Sequence, residues 1–184
     1  MIFRKLLLIL RSLIAKINTL TRLNKINRII GVDPGLNKTG FGILDYKGSQ
    51  VKTVAYGLIS PPSKESLPNR LEYLHSHMNE LIDKFQPITM AIEDSFYSQN
   101  VKSAILLGQA RGVLLLSAAS KGIPSMVYAP RKVKQSVTGS GSASKEQIKY
   151  MVEKILNVKK TIKSNDISDA LAVGLCHINQ NKYL

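Results

Sequence analysis

Four acidic residues give the first indication of chemistry. Asp166 and Asp169 stand three apart in "SNDISDALAVG", residues 164–174, where a helical pattern begins. Residues i and i+3 share a helix face, so this pair could grip one cation. The helix dipole offers a local explanation as well, because it favours acids in a first turn. Asp33 closes the apolar run "RIIGVD" just before Pro-Gly, where an aspartate also suits a tight turn. Glu93 closes "ITMAIE", either emerging into solvent there or aimed at a site; strand alternation sends the next residue, Asp94, to the other face. Taken singly, each carboxylate has an ordinary local role. If the two strand ends and the helix pair converged, the acids could not all stay ionised without a cation, which is the setting for Mg²⁺ or Mn²⁺ on oxygen ligands. Two such ions ~3.5–4 Å apart are a recurring device for phosphodiester hydrolysis. Pattern alone leaves that convergence open.

The elements that must position these groups can be read along the chain. "RIIGVDPG", "TGFGILDYKG" and "SQVKTVAYGLIS" read as three early strands in a meander, punctuated by Asp-Pro-Gly and Lys-Gly-Ser. "NRLEYLHSHMNELIDKF" places Leu71, Leu74, Met78, Leu81, Ile82 and Phe85 on one helical face. "PITMAIED" is a short buried strand. "SQNVKSAILLGQARGVLLLSAASKG" is a long helix closed by Gly122, apolar enough around Leu106 and Val113 to Leu116 to be mostly covered. "IPSMVYAP" is a strand, "RKVKQSVTG" a short helix or turn, "SASKEQIKYMVEKILN" a helix capped by Ser142 or Ser144, and "SNDISDALAVGLCHINQ" the last helix. The order βββαβαβαα implies a mixed α/β sheet of about five strands with helices on both faces. Sites in open α/β sheets form beyond strand ends, where Asp33 and Glu93 would lie.

Charge narrows the partner. The chain of 184 residues carries 26 Lys and Arg against 12 Asp and Glu, a net charge of +14 with pI ≈ 9.9, which calls for nucleic acid or an anionic membrane surface. Residues 1–27 hold six of the bases and no acid, and 28–184 remain clearly basic as the one folded domain. The longest uncharged apolar run in the first segment is "LLLIL", far short of the ~20 residues that span a bilayer, so no integral membrane association is expected. No small-residue cleavage site follows it, which argues against a secretory signal. Its composition suits a targeting peptide, a surface anchor or a nucleic-acid arm, and the plainer readings are an upstream start codon or a dispensable tail. Cys176 is the one cysteine, so no internal disulfide forms and a reducing compartment fits. The three histidines, His75, His77 and His177, have no metal-like spacing with it.

Five ordered blocks then carry a resemblance. "IIGVDPGLNKTGFGI", "AIEDSFYSQN", "LGQARGV", "RKVKQSVTGSGSASKEQI" and "NDISDALAVGLCH" resemble, in order and spacing, the RuvC family of bacterial Holliday-junction resolvases, from about Ile29 to Gln180. The resemblance implies the RNase H-like fold and a structure-selective endonuclease that resolves four-way DNA junctions by paired symmetric nicks in recombination and repair. It implies that Asp33, Glu93, Asp166 and Asp169 are the catalytic, metal-binding carboxylates. On that reading two Mg²⁺ ions, with Mn²⁺ able to substitute, activate a water that attacks phosphorus and leaves 5′-phosphate and 3′-hydroxyl ends. Phe96 matches an aromatic position that stacks on junction bases, and Lys134 and Lys145 match basic positions near the scissile phosphate. Lys102 and Arg111 are further candidates for backbone contact. The family is dimeric, and a near-two-fold junction calls for two sites related by a two-fold axis. The helix from Ser98 to Ser120 is the expected interface element, and a RuvA–RuvB-type branch-migration complex the expected partner. The segment before Ile26 has no counterpart in the family pattern, so the location is cytoplasmic, or organellar if that segment targets. Asp94 is an added acid that would perturb the site if it turned inward.

Three rivals belong to other classes. A sugar-kinase-like ATPase lobe shares the strand, Asp and Gly-rich hairpin, but needs a second lobe and does not require the Asp166/Asp169 pair. A binding-only protein for branched nucleic acid has no need of a complete carboxylate set. Another RNase H-like nuclease would lack the blocks around Phe96 and Lys134.

Overall fold

The computed structural model describes residues 26–94, 100–158 and 161–181. Five strands form one sheet: β1 (Asn27–Asp33), β2 (Thr39–Lys47), β3 (Gln50–Ile59), β4 (Thr89–Glu93) and β5 (Ser125–Tyr128). Their order across the sheet is β3-β2-β1-β4-β5, with β1, β2 and β3 antiparallel and β4 and β5 parallel to β1. The helices are α1 (Leu67–Phe85), α2 (Val101–Ser120), α3 (Pro130–Thr138), α4 (Lys145–Ile155) and α5 (Asn165–Asn181). The segment left open between helix and turn, 130–138, is helix, started by Pro130 and stopped by Gly139 at φ 80°.

Alternation along the strands makes two cores. Ile30, Val32, Ile43, Met90 and Ile92 face α1 and α2, meeting Leu74, Met78, Ile82, Ala110 and Leu114. Ile29, Leu44, Ala91 and Tyr128 face the other way, onto α3, α4 and α5. Residues 31 and 33 of β1, and 93 of β4, continue this second face, so Asp33 and Glu93 emerge on the side that α5 covers.

Helix α5 lies close on the sheet because glycines clear its path. A Cβ at Gly31 would run into the Ala170 carbonyl oxygen and the backbone of Gly174, and one at Gly40 into the Asp166 carbonyl oxygen. Gly40 is the cross-strand partner of Asp33, so this close approach sets the first turn of α5 beside the end of β1.

One expectation changes and another is narrowed to one of its two alternatives. Helix α2 is not mostly covered: only Ala110, Leu114, Ser117 and Ala118 are buried, while Val101, Ile105 and Leu116 are exposed at 75%, 56% and 59%. An apolar helix pattern cannot say what covers each face, and α1 covers one face only. It is also the one helix among the described residues long and apolar enough to cross a membrane by length and composition. The cap of α4 is Ser144, whose hydroxyl accepts from the Gln147 amide at 3.2 Å while the Gln147 side chain accepts from the Ser144 amide at 2.8 Å. Phe96 and residues 1–25 lie outside the described residues, and β1 begins at Asn27.

Candidate active site

Asp33 and Glu93 end adjacent parallel strands; Val32 pairs with Ile92, which sets the two carboxylates side by side at the carboxyl edge of the sheet. Asp169, on the second turn of α5, joins them in a cleft of about 270 Å³ lined also by Pro130, Val133, Lys134, Lys145 and Ile148. Asp166 lies in the first turn of the same helix. The Ser164 hydroxyl donates to its carboxylate at 2.8 Å, fixing its rotamer.

Electrostatics mark the cluster as uncompensated. Burial, then the charges of Glu93, Asp169 and Asp166, push the Asp33 carboxyl up to about 8. Glu93 is raised first by burial and then by Asp169, and its hydrogen bond with Asp33, Lys145 and Lys134 oppose the shift. Asp169 is raised by burial, with Lys145 and Lys134 opposing. The mutual hydrogen bond raises Asp33 and lowers Glu93, so of the two Asp33 is the one that favours its proton. The Lys145 ammonium lies 3.9 Å from Asp169 Oδ2.

The donor set fits a hard divalent cation: it is all carboxylate oxygen, partly buried and under mutual repulsion.

The basic candidates separate by position. Lys134 and Lys145 wall the cleft. Lys102 is exposed in the first turn of α2 and does not line it. Arg111 is more enclosed: its side chain is 14% exposed, and Nη2 meets Asp94 Oδ1 at 3.0 Å. The same pair answers the concern over Asp94, which points away from the cleft as alternation requires. The histidines are structural, with His177 buried against the Tyr128 hydroxyl at 2.8 Å, His75 paired with Ser117 at 2.9 Å, and His77 stacked on Tyr73.

Some positioning residues had no clear signal in the sequence. Arg70 Nη2 donates to the Leu36 carbonyl at 3.1 Å and to Asn37 Oδ1 at 2.8 Å, tying α1 to the loop after Asp33. Thr39 closes that loop through Gly35, donating to its carbonyl at 2.7 Å. Ser164 could have been found as a hydroxyl two residues before an acid at a helix start. Gly40 and Arg70 act across the fold, which spacing along the chain does not show.

The model for crossover junction endodeoxyribonuclease RuvC matches residues 29–177 of this chain. The chain belongs to the RuvC family. A relative from Finegoldia magna, named for the same activity, is 43% identical over 156 residues, covering 85% of this chain and 95% of that protein. One from Alkaliphilus oremlandii is 43% identical over 155 residues, covering 84% and 94%. Among solved structures, Thermus thermophilus RuvC in complex with a Holliday junction substrate superposes with a TM-score of 0.81 at 29% identity, covering 85% of this chain and 96% of that one. The yeast mitochondrial Holliday junction resolvase Ydc2, at TM-score 0.60 and 12% identity, shares the fold. The sheet and helices described above are therefore the RNase H-like fold as the family builds it. Family membership also brings divalent-metal dependence in general.

Proposed function

We propose that Asp33, Glu93, Asp166 and Asp169 hold the metal ions of this crossover junction endodeoxyribonuclease, two Mg²⁺ or in their place Mn²⁺. The observation that carries this is the set of acids at one end of a basic protein: two adjoining strand-end carboxylates facing Asp169 across a cleft walled by Lys134 and Lys145. When bound, the ions supply the charge that lets the carboxylates ionise together and stabilise charge growing on the phosphoryl oxygens. The chain's own residues do the rest. The glycine-cleared packing of α5 holds Asp166 and Asp169 at the strand ends, Ser164 orients Asp166, and the lysines meet the phosphate backbone of a four-way DNA junction. By the resemblance Phe96, three residues past β4 in the sequence, would stack on junction bases, and Lys102 would meet the backbone. Arg111 stays a candidate for backbone contact by the resemblance, with its Nη2 3.0 Å from Asp94 Oδ1.

The exposed stripe on α2 supports a homodimer, which would present two sites to opposed strands. A RuvA–RuvB-type complex remains the expected partner by resemblance, with the reaction in the cytoplasm, or in an organelle if 1–27 target the chain there. Labelled synthetic junction in Mg²⁺, run on denaturing gels beside an Asp166→Asn variant, tests the site. Paired symmetric nicks that the variant loses are expected. Tight junction binding without cleavage in Mg²⁺ or Mn²⁺ would favour the binding-only reading instead.

A further inference from the structure

Lys145 stands where helix physics gives no reason for a lysine. It is the first residue of α4, after the Ser144 cap, so its charge sits at the positive end of the helix dipole. The capping box fixes the backbone at this point, and the first turn already has its favourable acid in Glu146. The side chain nonetheless reaches the cleft and places its ammonium 3.9 Å from Asp169 Oδ2. Lys134 lines the same cleft without an ion pair within 4.0 Å among the described residues. Lys145 thus engages one of the carboxylates that the reading above gives to metal.

We infer that Lys145 is the resident counter-cation of the metal-free site, competing with the divalent ion for Asp169 and thereby setting how tightly that ion binds. The inference rests on the metal-site reading of the previous section. Its side chain is 64% exposed, so the ammonium can swing away from the carboxylate at little cost. A phosphate arriving in the cleft offers it a second anion. Release of Asp169 and capture of the DNA backbone are then one movement, so junction and metal each favour binding of the other. Lys134, without the ion pair, contributes only a background field.

The test is Mn²⁺ binding to the full chain without DNA, read from loss of the free-ion electron paramagnetic resonance signal. Wild type, Lys145→Met, Lys134→Met and Asp33→Asn are compared at low salt, with thermal melts to verify folding. Lys145→Met is expected to bind Mn²⁺ about two- to fivefold more tightly than wild type, the scale of one exposed ion pair removed from a competing position. Lys134→Met should change affinity less, Asp33→Asn should lose the site, and added salt should narrow the gap between Lys145→Met and wild type. Unchanged or weaker binding in Lys145→Met, with wild-type binding still dependent on Asp33, overturns the inference and leaves the metal site standing. Absence of Asp33-dependent Mn²⁺ binding in both wild type and Lys145→Met overturns both.

Discussion

Asp33 keeps its proton to about pH 8 because burial and three neighbouring acids oppose its charge. In the unfolded chain the same group titrates near 3.8. Between those limits the folded, metal-free protein binds a proton that the unfolded chain has released, so the group's contribution to stability is complete below about pH 4 and declines as pH rises through 8. Glu93 and Asp169, shifted in the same direction, add to the slope. The melting temperature of chelator-treated protein should therefore fall from pH 6 to pH 8.5, and added Mg²⁺ should restore more at the upper end, where fewer protons compete with it. Asp33→Asn should raise the metal-free melting temperature at pH 8.5 by on the order of 3 °C, flatten the slope and abolish cleavage. Calorimetry across pH checks the first two; a wild-type profile as flat as the variant's would remove the electrostatic account. All four carboxylates were visible in the sequence as residues at strand ends and a helix start. Their mutual repulsion was not, because it depends on burial and distances that spacing does not encode.

Among the elements, α5 decides whether those residues form one site. Its first turn is admitted by Gly40 and its middle by Gly31, where a methyl group would run into helix backbone, while one at Gly174 would meet the Leu44 side chain. Gly40→Ala must push α5 outward at Asp166, since neither the strand nor the helix turn has a flexible side chain to yield. A loss of about 2 kcal/mol or more is expected, as for other overpacked cores. Cleavage should fall at least about tenfold even where circular dichroism shows the protein folded, because displacement of a catalytic group costs rate beyond stability. Retention of full activity would mean that α5 approaches the sheet differently. The strands, α1 and α5 were legible because apolar periodicity and Gly/Pro punctuation agreed. The cap of α4 lay between two serines, and only Ser144 has Gln147 three residues on to complete a reciprocal pair. The glycines could be read as strand-weakening or turn residues, whereas their purpose lies in a helix more than a hundred residues away.

For the whole molecule the open question is what covers α2. Val101, Ile105, Gly108, Gly112 and Leu116 recur at spacings of three and four, all exposed, and a Cβ at either glycine would meet nothing within 4 Å. The stripe runs most of a 20-residue helix, about 30 Å long, and such a face left in water is a liability for a monomer. From sequence, the same residues were expected to lie mostly inside, since a helix apolar all round reads alike whether its second face meets its own core or another copy. A two-fold axis beside α2 would bring the stripe against itself and give two sites the symmetry of a four-way junction. Ile105→Arg places a charge at the middle of that contact while leaving the buried face of Ala110 and Leu114 untouched. Sedimentation should show wild type as a dimer and the variant as a monomer with an unchanged circular dichroism spectrum. The monomer retains its carboxylates, so it should still cut, but as uncoupled single nicks, with paired resolution products falling at least about tenfold because the second cut no longer occurs within one complex. If Ile105→Arg stays dimeric and keeps paired nicking, the two copies meet through another surface and the α2 stripe is left for a different partner.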